Sequence, residues 1–129
     1  MKAIHKSGKR KTSIAKATLT SGKGIVKINK IPLENIQPEQ IKLKILEPLI
    51  IAGNPKSINI NVTVKGGGQQ SQADASRLAI ARCLVEHNKA LKAKFLEYDR
   101  HLIVADTRRK EMCKPNDSKA RAKRQKSYR

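Results

Sequence analysis

The placement of charge constrains this chain more than any other feature. Its formal net charge is +19 over 129 residues, and self-repulsion on that scale opposes compaction unless an anionic partner absorbs it. Residues 1–30 hold nine Lys or Arg and no acid, and residues 107–129 hold ten against Glu111 and Asp117. Residues 31–106 hold ten against eight. Only the middle has the balance of an ordinary globule. The expected layout is an N-terminal basic arm over 1–11, a globular domain over 12–106 and an extended basic tail over 107–129.

The globule can build one core, and it must be aliphatic, because Phe95, Tyr98 and Tyr128 are the only aromatic residues. No apolar run reaches the roughly 18 residues of a membrane span, and neither basic end has the amphipathic apolar face that a lipid surface requires. Cys83 and Cys113 match no paired metal-ligand or redox spacing, and no signal peptide opens the chain. They read as reduced thiols of a cytoplasmic protein, Cys83 in the core and Cys113 exposed.

Residues 1–11 lack apolar periodicity and predict a flexible arm. Residues 12–20 and 25–31 are rich in Thr, Ile, Val and Leu around Ser21-Gly22-Lys23-Gly24, which predicts a β-hairpin with a four-residue turn. Ile41, Ile45 and Leu49 after Pro38 predict a helix that Pro48 kinks or restarts and that Gly53-Asn54-Pro55 ends. Ile58, Ile60, Val62 and Val64 alternate with polar residues, the two-residue period of a strand with one buried face. Gly66-Gly67-Gly68 stops that strand.

Ser71 with Asp74 then predicts a capping box opening one long helix. Its core stripe would be Ala73, Ile80, Leu84, His87, Leu91 and Phe95, with His87 hydrogen-bonded in the core. Leu102–Ala105 predicts a last short strand. The sum is an α+β fold, a mixed sheet of about four strands with helices mainly on one face. Beyond Asp106 the only large aliphatic residue is Met112, so the tail is expected to order only on a partner.

A run of charge is usually a solvated face, but here the basic residues are segregated from acids, which favours nucleic acid. Gly66-x-Gly68-x-x-Ser71 lacks the third glycine of a dinucleotide loop and begins no parallel βαβ series. A tight turn is the simpler reading, and its amides meeting an RNA phosphate the next. Gly8-Lys9 is followed by Arg10 and is no phosphate loop. The sequence has no evident catalytic constellation, metal site or cofactor motif, and a small-molecule substrate is not expected. A free-standing nucleic-acid-compacting protein and a nucleotide-dependent enzyme are the alternatives to an RNA-binding structural protein.

Four stretches converge on one family. Gly8-Lys9-Arg10-Lys11-Thr12, Ile28-Asn29-Lys30-Ile31-Pro32-Leu33, Glu47-Pro48-Leu49, and Val64-Lys65-Gly66-Gly67-Gly68 leading to Gln72-Ala73-Asp74-Ala75 resemble the successive motifs of the ribosomal protein S-nine family. Gln125-Lys126-Ser127-Tyr128-Arg129, with Tyr98-Asp99-Arg100 and Ala105-Asp106 upstream, resembles its archaeal and eukaryotic branch rather than the bacterial one, and the chain as a whole its archaeal form. The resemblance implies a fold like the second domain of ribosomal protein S-five and a structural, non-enzymatic place in the head of the small subunit, among neighbouring head proteins. It implies that Lys9, Arg10, Lys11, Gly66, Gly67, Gly68, Arg108, Arg109, Lys110, Arg121, Lys123 and Arg124 bind rRNA. It further implies that Lys126, Ser127, Tyr128 and Arg129 approach the anticodon stem-loop of the peptidyl-site tRNA.

Two stretches depart from the family pattern. Ser71 stands where glycine is usual, and would be strained there at positive φ. Asn116-Asp117-Ser118-Lys119 replaces a glycine-rich stretch and puts a carboxylate beside phosphate.

Overall fold

The computed structural model describes residues 2–113. The elements run β1 (Ile4–Arg10), β2 (Ser13–Ser21), β3 (Val26–Ile28), β4 (Ile31–Pro32), α1 (Glu39–Ile51), β5 (Ile58–Lys65), α2 (Gln69–His87) and α3 (Leu91–Tyr98). Short 3₁₀ turns lie at Leu33–Asn35 and Arg100–Leu102. The strands form one mixed sheet in the order β1-β2-β5-β3-β4. The β3–β5 pair is parallel and the other pairs are antiparallel. The α+β architecture is as expected, with five strands instead of about four.

Strand β5 behaves as its alternation predicts. Ile58, Ile60, Val62 and Val64 are buried, while Asn61, Thr63 and Lys65 face outward. In β2 the inward residues are Ser13, Ala15, Ala17 and Leu19. Helix α2 lies on this face against β1, β2 and β5, and α1 packs on α2. Covered on several sides, α2 buries far more than a stripe: Ala75, Leu78, Ala79, Ala81 and Cys83 join Ala73, Ile80 and Leu84. Its small residues let the layers approach closely. A Cβ on Gly8 of β1 would collide with the Ala75 carbonyl oxygen and lie 2.9 Å from the Ala79 amide nitrogen.

Several expectations fail for identifiable reasons. Residues 4–10 are not a flexible arm; they pair with β2 from Ile4 opposite Leu19 to Arg10 opposite Ser13. The inward positions of β1 are Ile4, Lys6, Gly8 and Arg10, so the strand is anchored by backbone pairing and ion pairs and shows no apolar period. The predicted hairpin of residues 12–20 with 25–31 does not form, because β5 inserts between β2 and β3. Two asparagines hold the arrangement. Asn59 Oδ1 accepts from the Lys23 and Ile25 amides, and the Asn29 side chain exchanges hydrogen bonds with the Val64 amide and carbonyl, prolonging the parallel ladder.

Helix α1 runs through Pro48 without restarting. It ends as expected: Gly53 at φ +81° is followed by Asn54, whose amide donates to the Leu49 carbonyl. The long helix is two. It stops at His87, where extended Asn88 receives the Ala90 amide on its side chain, and resumes as α3. His87 is exposed, not a core residue, and Leu91 is half-buried, whereas Phe95 is fully buried.

Residues 102–105 form no strand. Asp99 caps the 3₁₀ turn by accepting from the His101 amide, Leu102 is buried, and Arg82 Nε donates to the Ile103 carbonyl. Helix α2 also begins earlier than Ser71. Gly68 is its N-cap, and Ser71 lies in the first turn, where its hydroxyl accepts from the Gly68 amide at 3.1 Å. Ser71 is helical, so it carries no positive-φ strain. Cys83 is buried and Cys113 exposed, as expected.

The single core aromatic supplies a test. Phe95→Ala should cost about 3–5 kcal/mol of unfolding free energy in urea, and His87→Ala at an exposed position about 0.5 kcal/mol or less. Equal losses would contradict the split between α2 and α3.

Candidate nucleic-acid interface

Three of the stretches singled out in the sequence meet at one end of the globule. The β1–β2 turn presents Lys11 at φ +52° and Thr12. Directly beside it runs the glycine turn between β5 and α2. Gly66 and Gly67 have φ of +78° and +69°, and a Cβ on Gly66 would lie 2.7 Å from the Thr12 carbonyl oxygen. A Cβ on Gly67 would collide with the Ser13 hydroxyl. Glycine is thus required by both backbone conformation and crowding. Gly68 has open space around it; it serves as the N-cap of α2, and its amide is engaged by Ser71.

Hydroxyls stitch the turn to the hairpin. Ser13 Oγ donates to the Gly66 carbonyl at 2.8 Å and shares a 2.8 Å hydrogen bond with Ser71 Oγ. Gln72 Nε2 also donates to the Gly66 carbonyl. The sequence departure at Ser71 therefore has a structural use. Its hydroxyl bridges β2 and the helix start.

The third stretch, leading into the tail, is held to the same end by charge. Asp106 forms an ion pair with Arg10 of β1 on its inner side. On its outer side it receives the Arg108 amide at 2.8 Å and the Arg108 guanidinium at 2.7 Å. Arg10 also reaches Asp74 at 3.5 Å, and Asp74 holds Lys44 at 2.7 Å. Next to this group, Arg77 bridges Glu47 at 2.5 Å and Asp99 at 2.8 Å. The Asp106 side chain is 11% exposed, so desolvation strengthens its contacts.

Hydrogen bonds from Arg108, aided by the charge of Arg10, hold the Asp106 carboxyl well below the usual carboxylate range. Partial burial pushes Asp99 upward, but the His101 amide and Arg77 outweigh it and the net shift is downward. Cys83 is the opposite case: burial pushes its thiol up to about 11, so it is protonated at neutral pH and not a nucleophile.

The predicted RNA contacts are consequently not equivalent. Lys11, Arg109 and Lys110 are exposed, Lys9 is half-buried, and Arg108 is 78% exposed although its guanidinium rests on Asp106. Arg10 is 20% exposed and committed to two carboxylates. Arg121, Lys123, Arg124, Lys126, Ser127, Tyr128 and Arg129 lie outside the described residues. The anchoring role of Asp106 was missed at the level of sequence. Its partner Arg10 is 96 positions away, and an isolated Asp before a basic run carries no signal of that pairing.

Comparison with known proteins decides the family. The family described as ribosomal protein S9/S16 matches residues 8–129. The chain belongs to this family. It is 52% identical over 134 aligned positions to the protein named small ribosomal subunit protein uS9 of Methanococcus maripaludis, with both chains fully covered. It is 51% identical over 134 positions to the protein of that name in Methanococcus vannielii, and 48% identical over 132 to that of Methanothrix thermoacetophila, again over full lengths. The archaeal form expected from the sequence agrees with these relatives. Its family is one of ribosomal structural proteins, which is not an enzyme class.

The Asp106 cluster predicts acid sensitivity. Asp106 and Asp99 have folded pKa values below the ordinary carboxylate value of about 3.9. Their stabilisation is present above that value and lost as pH falls through the folded pKa. Thermal unfolding followed by circular dichroism should show the melting temperature falling below about pH 4. Asp106→Asn should lower the neutral-pH melting temperature and flatten the acid dependence. An acid profile identical to that of the unaltered chain would remove Asp106 from this role.

Proposed function

We propose that the protein is a structural constituent of the small ribosomal subunit, working in the cytoplasm on the ribosome. It binds rRNA of the subunit head through the basic end of the globule and the tail that leaves it. The observation that carries this reading is the convergence of the Lys9–Lys11 turn, the Gly66–Gly68 turn and the Arg108–Lys110 segment at one end of a member of the ribosomal protein S9/S16 family. Lys9, Lys11, Arg109 and Lys110 neutralise phosphates, and each such contact releases condensed counterion. Arg108 joins them by exchanging Asp106 for phosphate, the bidentate geometry being similar. Arg10 serves mainly to hold the tail's base against β1, so its share in rRNA binding is indirect.

The glycine turn offers backbone at a helix N-terminus, where partial positive charge favours phosphate. Further along the tail, Arg121, Lys123 and Arg124 continue the rRNA contact. Lys126, Ser127, Tyr128 and Arg129 reach the anticodon stem-loop of the peptidyl-site tRNA, where Arg129 pairs with phosphate. A cationic segment without a core of its own suits crevices of folded RNA that a globule cannot enter. The mechanism is charge neutralisation that stabilises the head, with neighbouring head proteins as further partners. No reaction is catalysed.

Two variants test the reading. Truncation after Asp106 should weaken binding to small-subunit rRNA and lower the slope of log affinity against log salt by several units, at about 0.7–0.9 per lost phosphate contact. An unchanged slope would place the tail off the RNA. Deleting Tyr128 and Arg129 should leave subunit assembly intact and raise the off-rate of tRNA from the peptidyl site; an unaltered off-rate counts against the tRNA contact.

A further inference from the structure

We propose that the uncovered face of the β-sheet is a second RNA-binding surface, which takes the phosphate backbone of a folded rRNA segment. This rests on the rRNA reading above and adds a face that the motifs did not indicate. The helices cover one side of the sheet. On the other, the register of β1, β2, β5 and β3 builds rows of outward side chains. Ile14 stands between Lys9 and Lys65, Lys16 beside Thr63, and Asn61 beside Lys27. With neighbouring strands about 4.8 Å apart, the backbones bearing Lys9 and Lys65 are roughly 10 Å apart with Ile14 between them, and Lys16 stands on the same face two residues along β2.

Charge is partitioned between the two faces. None of the five strands contains a carboxylate. Every Asp and Glu before residue 107 lies in the helices, the 3₁₀ turns or the segments adjoining them. There the acids meet the basic residues of the same layer and the inward cations Lys6 and Arg10. Lys9, Lys16, Lys27 and Lys65 have no carboxylate partner among the described residues. Four unpaired ammonium groups on one small face raise its potential, and a polyanion relieves the repulsion.

The rest of the face says which polyanion. It carries hydroxyl and amide groups and His5, with Ile14 the one large exposed apolar side chain in β1, β2, β3 and β5, Ile25 exposed just before β3, and no Phe, Tyr or Trp. A protein partner would be expected to find aromatic or aliphatic anchors. With His5, hydrogen-bonded to the Thr18 hydroxyl, as its one aromatic ring among the described residues, the face cannot stack several splayed bases as some sheet platforms do. Ammonium, hydroxyl and amide groups instead suit phosphate and the 2′-hydroxyl, which position a folded RNA without reading its sequence. Lys65 runs straight into Gly66, and Lys9 is two residues from Lys11. The face is therefore continuous with the basic end already described, and the RNA runs from that end across β2 and β5 toward Lys27.

The full chain carrying Lys16→Glu, Lys27→Glu and Lys65→Glu tests this, against Lys89→Glu, Lys92→Glu and Lys94→Glu, which change the net charge equally on exposed residues of the helical layer. Binding to protein-free small-subunit rRNA is measured across a salt series. The open-face variant should lose affinity, and its salt slope should shrink by about two, at 0.7–0.9 per contact; the helical-layer variant should keep its slope within one unit. Circular dichroism checks folding, and the corresponding Lys→Gln set repeats the measurement should the Glu set unfold. Equal losses in the two variants would reduce the effect to net charge and overturn the proposal. So would wild-type rRNA binding by the open-face variant accompanied by loss of a neighbouring protein from assembled subunits, which would give the face to a protein. If the unaltered chain bound rRNA without any salt dependence, the rRNA reading would itself fail and take this face with it.

Discussion

Close approach of α2 to the sheet is the constraint on which the other features rest. Gly8 leaves the space that the Ala75 carbonyl and Ala79 amide occupy, and alanines along the helix keep its surface flat. The same contact draws β1 into the fold and sets the β1–β2 turn beside the glycine turn that starts α2. Arg82 on that helix then reaches the Ser7 carbonyl at 2.7 Å and the Ile103 carbonyl at 3.0 Å. A single close-packed helix thus fixes both ends of the chain's described part. Because no core residue of β1 except Ile4 is large and apolar, this segment depends on the helix and on backbone pairing more than on burial of its own.

Electrostatics divides the molecule into two layers with different tasks. On the helical layer, ion pairs are partly desolvated and mutually linked, so they serve architecture: Arg77 ties α1 to the segment after α3, and Asp106 ties β1 to the base of the tail. On the open face of the sheet, Lys9, Lys16, Lys27 and Lys65 have no carboxylate partner among the described residues. A basic residue counts toward RNA affinity only when its charge is not already answered within the fold. Composition counts Arg10 and Lys16 alike, whereas the fold uses the first to hold itself together and leaves the second to a partner.

Much of this was legible locally. Strand β5, the end of α1 at Gly53 and the burial of Cys83 followed from periodicity and turn chemistry. The motifs from Gly8 to Ala75 pointed to the right family. The errors cluster where local rules lose to distant ones. Residues 4–10 look unstructured because a strand anchored by Lys, Gly and Arg has no apolar period. The hairpin expected between β2 and β3 is broken by a strand more than 25 residues further on. Residues 102–105 look like a strand but cover the helical layer, where the Leu102 amide donates to the Asp99 carbonyl and Arg82 donates to the Ile103 carbonyl.

Sequence by itself determined the segregation of charge, the aliphatic character of the core and the family, because these depend on residue type and order along the chain. Tertiary structure alone decided the strand order, the conversion of Arg10 and Asp106 into an anchor, and the carboxylate-free face of the sheet. The physical reason is that ion pairing and burial act through space. Residues 96 positions apart meet in one contact, and whether a lysine is neutralised or left free depends on the layer into which the fold turns it.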